Sequence, residues 1–317
     1  MKSYTMRKII IYIVLILTCN ACNSTGKDSL FKDSTLILSS EKIKFNNLEV
    51  SKNIVRTKMQ KYIENLESYS IIYSSRGLKI HGYLAKPKNI NEPLPLLIYC
   101  RGGNRDYGEL TDNQSLALAR MASNGYIVLA SNYSGSTKSE GIDEFGGKDV
   151  NDVLQLLEIA KELPFIDSNK IVLLGSSRGG LMVYQVLKNQ NHNNNIKAAV
   201  LLSCPTDLKV MFKNRPEMER LARTLIPNYT NERENAIYKR SVIQWADSLP
   251  KHVPLLLIHG DSDERVNVEH SINLANKLKK QDHLHKLIIY KKAKHSLVSV
   301  KDSLIFEREK WLSKYLN

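Results

Sequence analysis

Short apolar runs alternate with longer amphipathic stretches over most of this chain. The runs are "PLLIYC" (95–100), "YIVLASN" (126–132), "KIVLLG" (170–175), "KAAVLLS" (197–203), "PLLLIHG" (254–260) and "HKLIIYK" (285–291). Each has the length of a strand and is nearly continuous in apolar side chains, the pattern of a strand covered on both faces. Helical spacing fills the intervals at 110–124, 148–163, 177–190 and 268–280, with a last helix at 301–316. Ahead of them, "YSIIYSSRGLKIHGYLAKP" (69–87) reads as a hairpin, two alternating runs around a Ser75-Arg76-Gly77 turn. The pattern predicts an α/β fold: a mostly parallel sheet of eight strands with helices on both faces. The stretch 206–250, rich in Arg, Lys and Glu, has no strand. It falls between the sixth and seventh strands and predicts a small helical cap over the sheet's carboxyl edge, where such sheets keep their sites.

The first residues follow another logic. Lys2, Arg7 and Lys8 precede "IIIYIVLIL" (9–17), an apolar run too short to span a bilayer, so residues 1–22 read as a signal peptide. Cys19 and Cys22 stand where a bacterial lipoprotein signal places its acylated cysteine. Cys22 follows Ala21 but has polar Asn20 before that; Cys19 has apolar Ile16 and Leu17 but follows Thr18. The expectation is an exported protein of the cell envelope or periplasm, lipid-anchored through Cys19 or Cys22, with plain cleavage or an uncleaved anchor as alternatives. Residues 23–66 are polar and mixed, with weak helical periodicity around "NIVRTKMQKYIENLES" (53–68). They read as a tether and one packing helix before an α/β domain at 67–317.

With 317 residues, 42% of them hydrophobic, the chain can bury one large core. Cys100 and Cys204 each end a predicted buried strand and read as small hydrophobes. No disulfide framework and no CxxC occurs in the folded part, so neither zinc nor redox chemistry is expected, and no metal or organic cofactor. The net charge is +14, but the lysines are dispersed and no aromatic residues interleave with a basic stripe. That predicts a solvated basic surface, suited to anionic cell-surface polymers or lipid heads, and no nucleic-acid partner.

Candidate chemistry centres on "GSSRG" (175–179), which fits G-x-S-x-G only with Ser177 in the middle. The match begins where the strand "KIVLLG" ends and the apolar helix "LMVYQVL" begins, as a nucleophile elbow requires. The alternative is an ordinary Gly-rich βα turn that binds phosphate. A serine hydroxyl needs a base, and the base needs an orienting acid. Eight histidines compete for that place. His81 and His192 lie before the elbow or too close after it. His252 and His259 sit before and within the seventh strand, where His259 reads as a structural residue beside the turn, and His283 and His285, at the start of the last strand, read as surface polar residues. His295, in "YKKAKHSL", follows the last strand and precedes the final helix, the place of a loop-borne base. For the acid, "LLLIHGDSDERV" offers Asp261, Asp263 and Glu264 in one loop, with Asp207 an outside candidate. Spacing does not separate Asp261 from Asp263.

These segments together resemble the prolyl oligopeptidase (S9) family. "HGDSDERV" is similar to its HG-x-x-D-x-x-V segment, and that resemblance puts the acid at Asp263. "YSIIYSSRGLKIHGYLAKP" resembles the family's opening hairpin, "SNYSGS" (131–136) its N-Y-R-G-S segment and "GGKDVNDVL" (146–154) its G-x-x-D-x-x-D helix start. "GSSRGG" and "KHSL" stand for G-x-S-x-G-G and G-H-x-x. The resemblance covers about 67–317 and implies an α/β-hydrolase fold and a serine-type peptidase acting through a Ser177–His295–Asp263 triad. Carboxylic esters of glycans or lipids are the alternative substrates. Two departures concern the oxyanion hole. Arg101 stands where the family has Tyr or His before the paired glycines, and Arg178 follows the nucleophile where Tyr is common. The Arg178 backbone N–H is the expected first donor. A backbone N–H near Gly102 or the Arg101 side chain is the expected second, and structural ion pairing of both arginines is the competing role. A third departure is that family peptidases typically carry an N-terminal β-propeller, whereas only 23–66 lie between leader and hydrolase domain here. Oligomeric state is not readable from the sequence.

Overall fold

The computed structural model describes residues 26–45, 64–189, 191 and 194–316. The predicted leader, both candidate acylation cysteines and most of the predicted packing helix lie outside them. Nine strands form one sheet: β1 (Ile37–Lys42), β2 (Leu66–Ser75), β3 (Leu78–Pro87), β4 (Leu94–Cys100), β5 (Ile127–Ser131), β6 (Ile166–Ser176), β7 (Ile196–Leu202), β8 (Leu255–Gly260) and β9 (His285–Tyr290). Their spatial order is β1-β2-β3-β5-β4-β6-β7-β8-β9. The first three strands and β5 pair antiparallel, and from β5 through β9 all pairing is parallel.

Burial on both faces is visible residue by residue. Leu96 and Ile98 of β4, Leu173 of β6, Leu201 of β7 and Leu257 of β8 enter one apolar cluster. Their neighbours Leu97, Val172, Leu174, Val200 and Leu256 enter the other. The helices α2 (Val150–Glu162), α3 (Arg178–Lys188) and α7 (Glu269–Lys280) cover the first face. On the second lie α1 (Asp112–Ala122) and α8 (Lys301–Leu316). A continuous apolar run is therefore required in each central strand, because neither face meets water.

Two features differ from the sequence expectation. The stretch read as a tether contains β1, which adds an antiparallel edge to β2, and Phe31 and Ile37 from it are fully buried in the first cluster. Its sequence ILSSEK buries only Ile37 and leaves the rest half-buried or exposed, so an edge strand leaves no period-two signal. His283, read as a surface residue, is 4% exposed, with Nε2 2.9 Å from the Val253 carbonyl. The stretch 206–250 forms α4 (Leu208–Asn214), α5 (Pro216–Leu225) and α6 (Arg233–Arg240). These pack on Phe145 and Leu181 in a third apolar cluster of their own.

Candidate active site

Strand order reverses between β4 and β6: from β4 the chain goes on to β5 on one side, and β6 lies on the other. In an open parallel sheet that reversal leaves a crevice at the carboxyl ends of the two strands. The segments entering it are Arg101-Gly102, directly after β4, and Ser177, directly after β6. Ser177 stands at φ 53° and ψ −124°, a strained conformation for a residue with a side chain. It is held there by its own N–H, which donates to the Leu202 carbonyl at 2.8 Å, and by its carbonyl, which accepts from Gly180 N–H at 2.9 Å. The glycine at 179 is needed for space, since a Cβ there would lie 2.0 Å from the Cys100 carbonyl oxygen. Ser176 is the last residue of β6, so the turn belongs to Ser177.

His295, five residues past β9, brings Nε2 to 3.0 Å from Ser177 Oγ and Nδ1 to 2.8 Å from Asp263 Oδ2. The Asp263 side chain has no exposed surface. Its Oδ1 accepts from the Arg265 and Val266 N–H groups at 2.8 and 2.9 Å. Burial opposes its charge, but the hydrogen bonds from His259, His295 and Val266 outweigh burial and hold the carboxyl well below the usual carboxylate range. An ionised Asp263 can only accept, so His295 Nδ1 carries the proton and Nε2 is left to accept from the Ser177 hydroxyl.

His259 has a part that sequence reasoning missed. It is fully buried, with Nδ1 2.7 Å from Ser271 Oγ and Nε2 2.9 Å from the Val266 carbonyl. A carbonyl cannot donate, so Nε2 carries its proton and Nδ1 accepts from the Ser271 hydroxyl. The same Nε2 lies 3.2 Å from Asp263 Oδ2, so two histidines flank one carboxylate oxygen. The other candidate acids are used elsewhere. Asp261 is exposed and accepts from the Lys292 N–H at 2.6 Å, and Asp207 caps α4 by accepting from the Lys209 and Val210 N–H groups.

Both unusual arginines are structural in their side chains. Arg178 Nη2 bonds Asp143 Oδ1 at 2.8 Å and also bonds Asp149 Oδ2. Burial alone would lower its pKa, but the two carboxylates outweigh burial and raise it. Arg101, 2% exposed, is one of the two expected alternatives for the second oxyanion donor, with structural ion pairing as its competing role, and its side chain instead meets carbonyls. Its Nη1 donates to the carbonyls of Gly102 and Tyr107, and its Nη2 to those of Arg105 and Asn132. Both terminal nitrogens are thus spent on four carbonyls that turn inward around it. Both guanidinium carbons lie 5.0 Å from the Tyr133 ring centroid, within cation–π range. This explains two motifs that had no assigned role. Tyr133 of "SNYSGS" separates two buried cations, and in "GGKDVNDVL" Asp149 neutralises Arg178 while Asp152 receives Ser75 and Ser134. Gly102 approaches Ser177 so closely that a Cβ there would lie 3.1 Å from Ser177 Cβ and 3.8 Å from its Oγ.

A cleft of about 810 Å³ opens at Ser177, lined by Met211, Met218 and Leu221 of the helical segment and by Phe145 and Val266 among others. Residues 113–317 match the Peptidase_S9 profile, the prolyl oligopeptidase family. An uncharacterized peptidase of Bacillus subtilis, YtmA, is 27% identical over 223 residues, covering 70% of this chain and 82% of that one. Dipeptidyl-peptidase 5 of Porphyromonas gingivalis is 26% identical over 239 residues, covering 71% of this chain and 34% of its own length. In three dimensions the chain resembles the uncomplexed Pyrococcus horikoshii acylaminoacyl peptidase with a TM-score of 0.68 at 22% identity. That match spans 83% of this chain and 44% of the other. The fold is that of an α/β hydrolase.

Proposed function

This chain belongs to the prolyl oligopeptidase family, and from that premise we propose that it is a serine peptidase working through an acyl-enzyme. The observation that carries the reading is the line of hydrogen bonds from Ser177 Oγ through His295 to Asp263. In the first half-reaction Ser177 Oγ bonds to the carbonyl carbon as His295 Nε2 takes the hydroxyl proton. His295 then gives that proton to the departing amine nitrogen, the C–N bond breaks, and the acyl group remains as an ester on Ser177. In the second half-reaction a water gives its proton to His295 and its oxygen to the acyl carbon. The proton returns to Ser177 Oγ and the carboxylic acid leaves. Asp263 stabilises the imidazolium formed in each half, which its depressed pKa favours.

For the oxyanion, the donors are the Arg178 N–H and a backbone N–H at Gly102. Arg178 is the first residue of α3, where a helix leaves its N–H groups without intrahelical acceptors. The nearness of Gly102 to Ser177 Oγ supports the second donor. A fluorophosphonate probe tests the mechanism: labelling of the purified protein and its loss in Ser177→Ala are expected, and a wild-type protein that hydrolyses peptides without labelling overturns it. A peptide rather than an ester is the proposed substrate, as the names of the relatives suggest. We also propose export and lipid anchoring through Cys19 or Cys22, on the basic and apolar leader that precedes them. Incorporation of labelled palmitate, abolished when both cysteines become alanine, is the expected result, and undiminished labelling refutes it.

A further inference from the structure

The side chains lining the cleft include five arginines, at 101, 105, 178, 215 and 265, and no aspartate or glutamate. Two of the five are neutralised from outside the cleft, Arg178 by Asp143 and Asp149 and Arg215 by Glu217. The guanidinium groups of Arg101, Arg105 and Arg265 have no carboxylate within 4 Å among the described residues. Arg101 is buried within the lining, whereas Arg105 and Arg265 are exposed at the mouth.

The mouth cations are also held in place. Arg105 Nη2 reaches Thr224 Oγ1 of α5 at 3.5 Å, and Arg265 Nη1 donates to Tyr107 Oη at 2.9 Å. Arg215 Nη1, between α4 and α5 of the helical segment, donates to the Arg265 carbonyl at 3.2 Å. The loop after β4, the helical segment and the loop after β8 are thus linked in a ring through arginines. Below the ring lie apolar walls, and a cleft with low-dielectric walls concentrates the field of the charges around it. Acids within two residues of these arginines, Asp106, Glu217 and Glu264, are not part of the lining.

We propose that this cleft selects substrates bearing an anionic group and rejects a free ammonium terminus, with Arg105 and Arg265 as the selecting residues. A peptide amine entering the cleft would meet fixed cations and no carboxylate to receive it, and like-charge juxtaposition is the usual means of excluding a wrong partner. An anionic group, whether a terminal carboxylate, an acidic side chain or an acyl cap ending in a carboxylate, would meet two arginines with unused donors. The inference deepens the peptidase reading and rests on it for the place of the substrate.

Its test is made on binding, so that it does not depend on turnover. Calorimetric titration of the full-length Ser177→Ala protein at low salt compares four probes: N-succinyl-Ala-Ala-amide, N-acetyl-Ala-Ala free acid, N-acetyl-Ala-Ala-amide and Ala-Ala-amide with a free amine. The better anionic probe is expected to bind about fivefold more tightly than the neutral one, the range of one or two exposed ion pairs. The free amine is expected to bind most weakly, and the anionic advantage to shrink with salt. Exchanging both Arg105 and Arg265 for Gln should abolish the advantage, and exchanging both for Lys should retain it, with circular dichroism confirming that each variant is folded. Equal affinities, tightest binding of the free amine, no binding by either anionic probe, or an advantage that survives in the Gln variant would each overturn the proposal. Failure of the catalytic reading appears instead in fluorophosphonate labelling of the wild type, a different measurement.

Discussion

Lowering the pH from 8 to 5 should destabilise the fold through two buried histidines away from the reacting atoms. His270 is 4% exposed, with Nδ1 3.3 Å from the backbone N–H groups of both Thr206 and Asp207. His81 is 1% exposed, with Nδ1 3.0 Å from the Asn132 amide nitrogen and Nε2 2.9 Å from Ser70 Oγ. A backbone N–H can only donate, so a proton on His270 Nδ1 would face two donors with nothing to accept it. Burial, the largest cause, pushes both pKa values down from 6.5 to about 4. The folded value is below the unfolded one, so the unfolded chain takes the proton first. The stabilisation is complete above pH 6.5 and is lost as pH falls from there towards 4. At pH 5 the loss is about 2 kcal/mol for each histidine. Total stabilities run to only about 5–15 kcal/mol, so this is a large fraction. Urea unfolding followed by tryptophan fluorescence at pH 8, 6.5 and 5 measures it in wild type and in His270→Asn. The asparagine oxygen still accepts from the two N–H groups but does not titrate. The variant should be less stable at pH 8 yet lose about 2 kcal/mol less than wild type between pH 8 and 5. Carboxylate titrations common to both proteins cancel in the difference. Parallel pH profiles for the two proteins would refute the reasoning.

Two further expectations concern the site. Asp263→Asn should lower kcat by about four orders of magnitude, because the amide cannot hold His295 in the required tautomer, whereas Asp261→Asn should stay within a few fold. Steady-state kinetics on one peptide anilide compares them, and the reverse ranking would move the acid to Asp261. Asp149→Asn removes one of the two carboxylates on Arg178 and should cost about 3 kcal/mol, read as a lower melting temperature. An unchanged melting temperature would mean that Asp143 alone neutralises that arginine.

Much of this arrangement was legible because it is written in local pattern. A strand covered on both faces must be apolar throughout, and an elbow must have glycine where Cα atoms meet the neighbouring strand; both leave marks within a few residues. What stayed illegible depends on contacts between distant segments. Asp261 and Asp263 share one loop and spacing alone does not separate them; the family resemblance picks Asp263, and the physical reason is the loop's path, which takes one carboxylate to Lys292 and the other to His295. The Arg101 side chain could not be assigned because its partners are backbone carbonyls of its own loop and of Asn132 after β5, and a carbonyl has no letter in the sequence. His259 reads as a structural residue beside the turn, but its contact with Asp263 emerges only once the loop folds back over it.

The strand that was taken for a tether has a practical consequence for how the protein is cut. The Glu162 carboxylate receives Ser34 Oγ, Thr35 Oγ1 and the Leu36 N–H, so the chain is fastened to the end of α2 before β1 begins. Truncation at residue 66, the boundary that the sequence suggests, would leave that carboxylate without three donors and bare the whole edge of β2. An uncovered edge of alternating apolar side chains is a template for pairing with other molecules. A fragment meant to stay soluble should therefore begin upstream of Lys27, and one begun at the hairpin should precipitate.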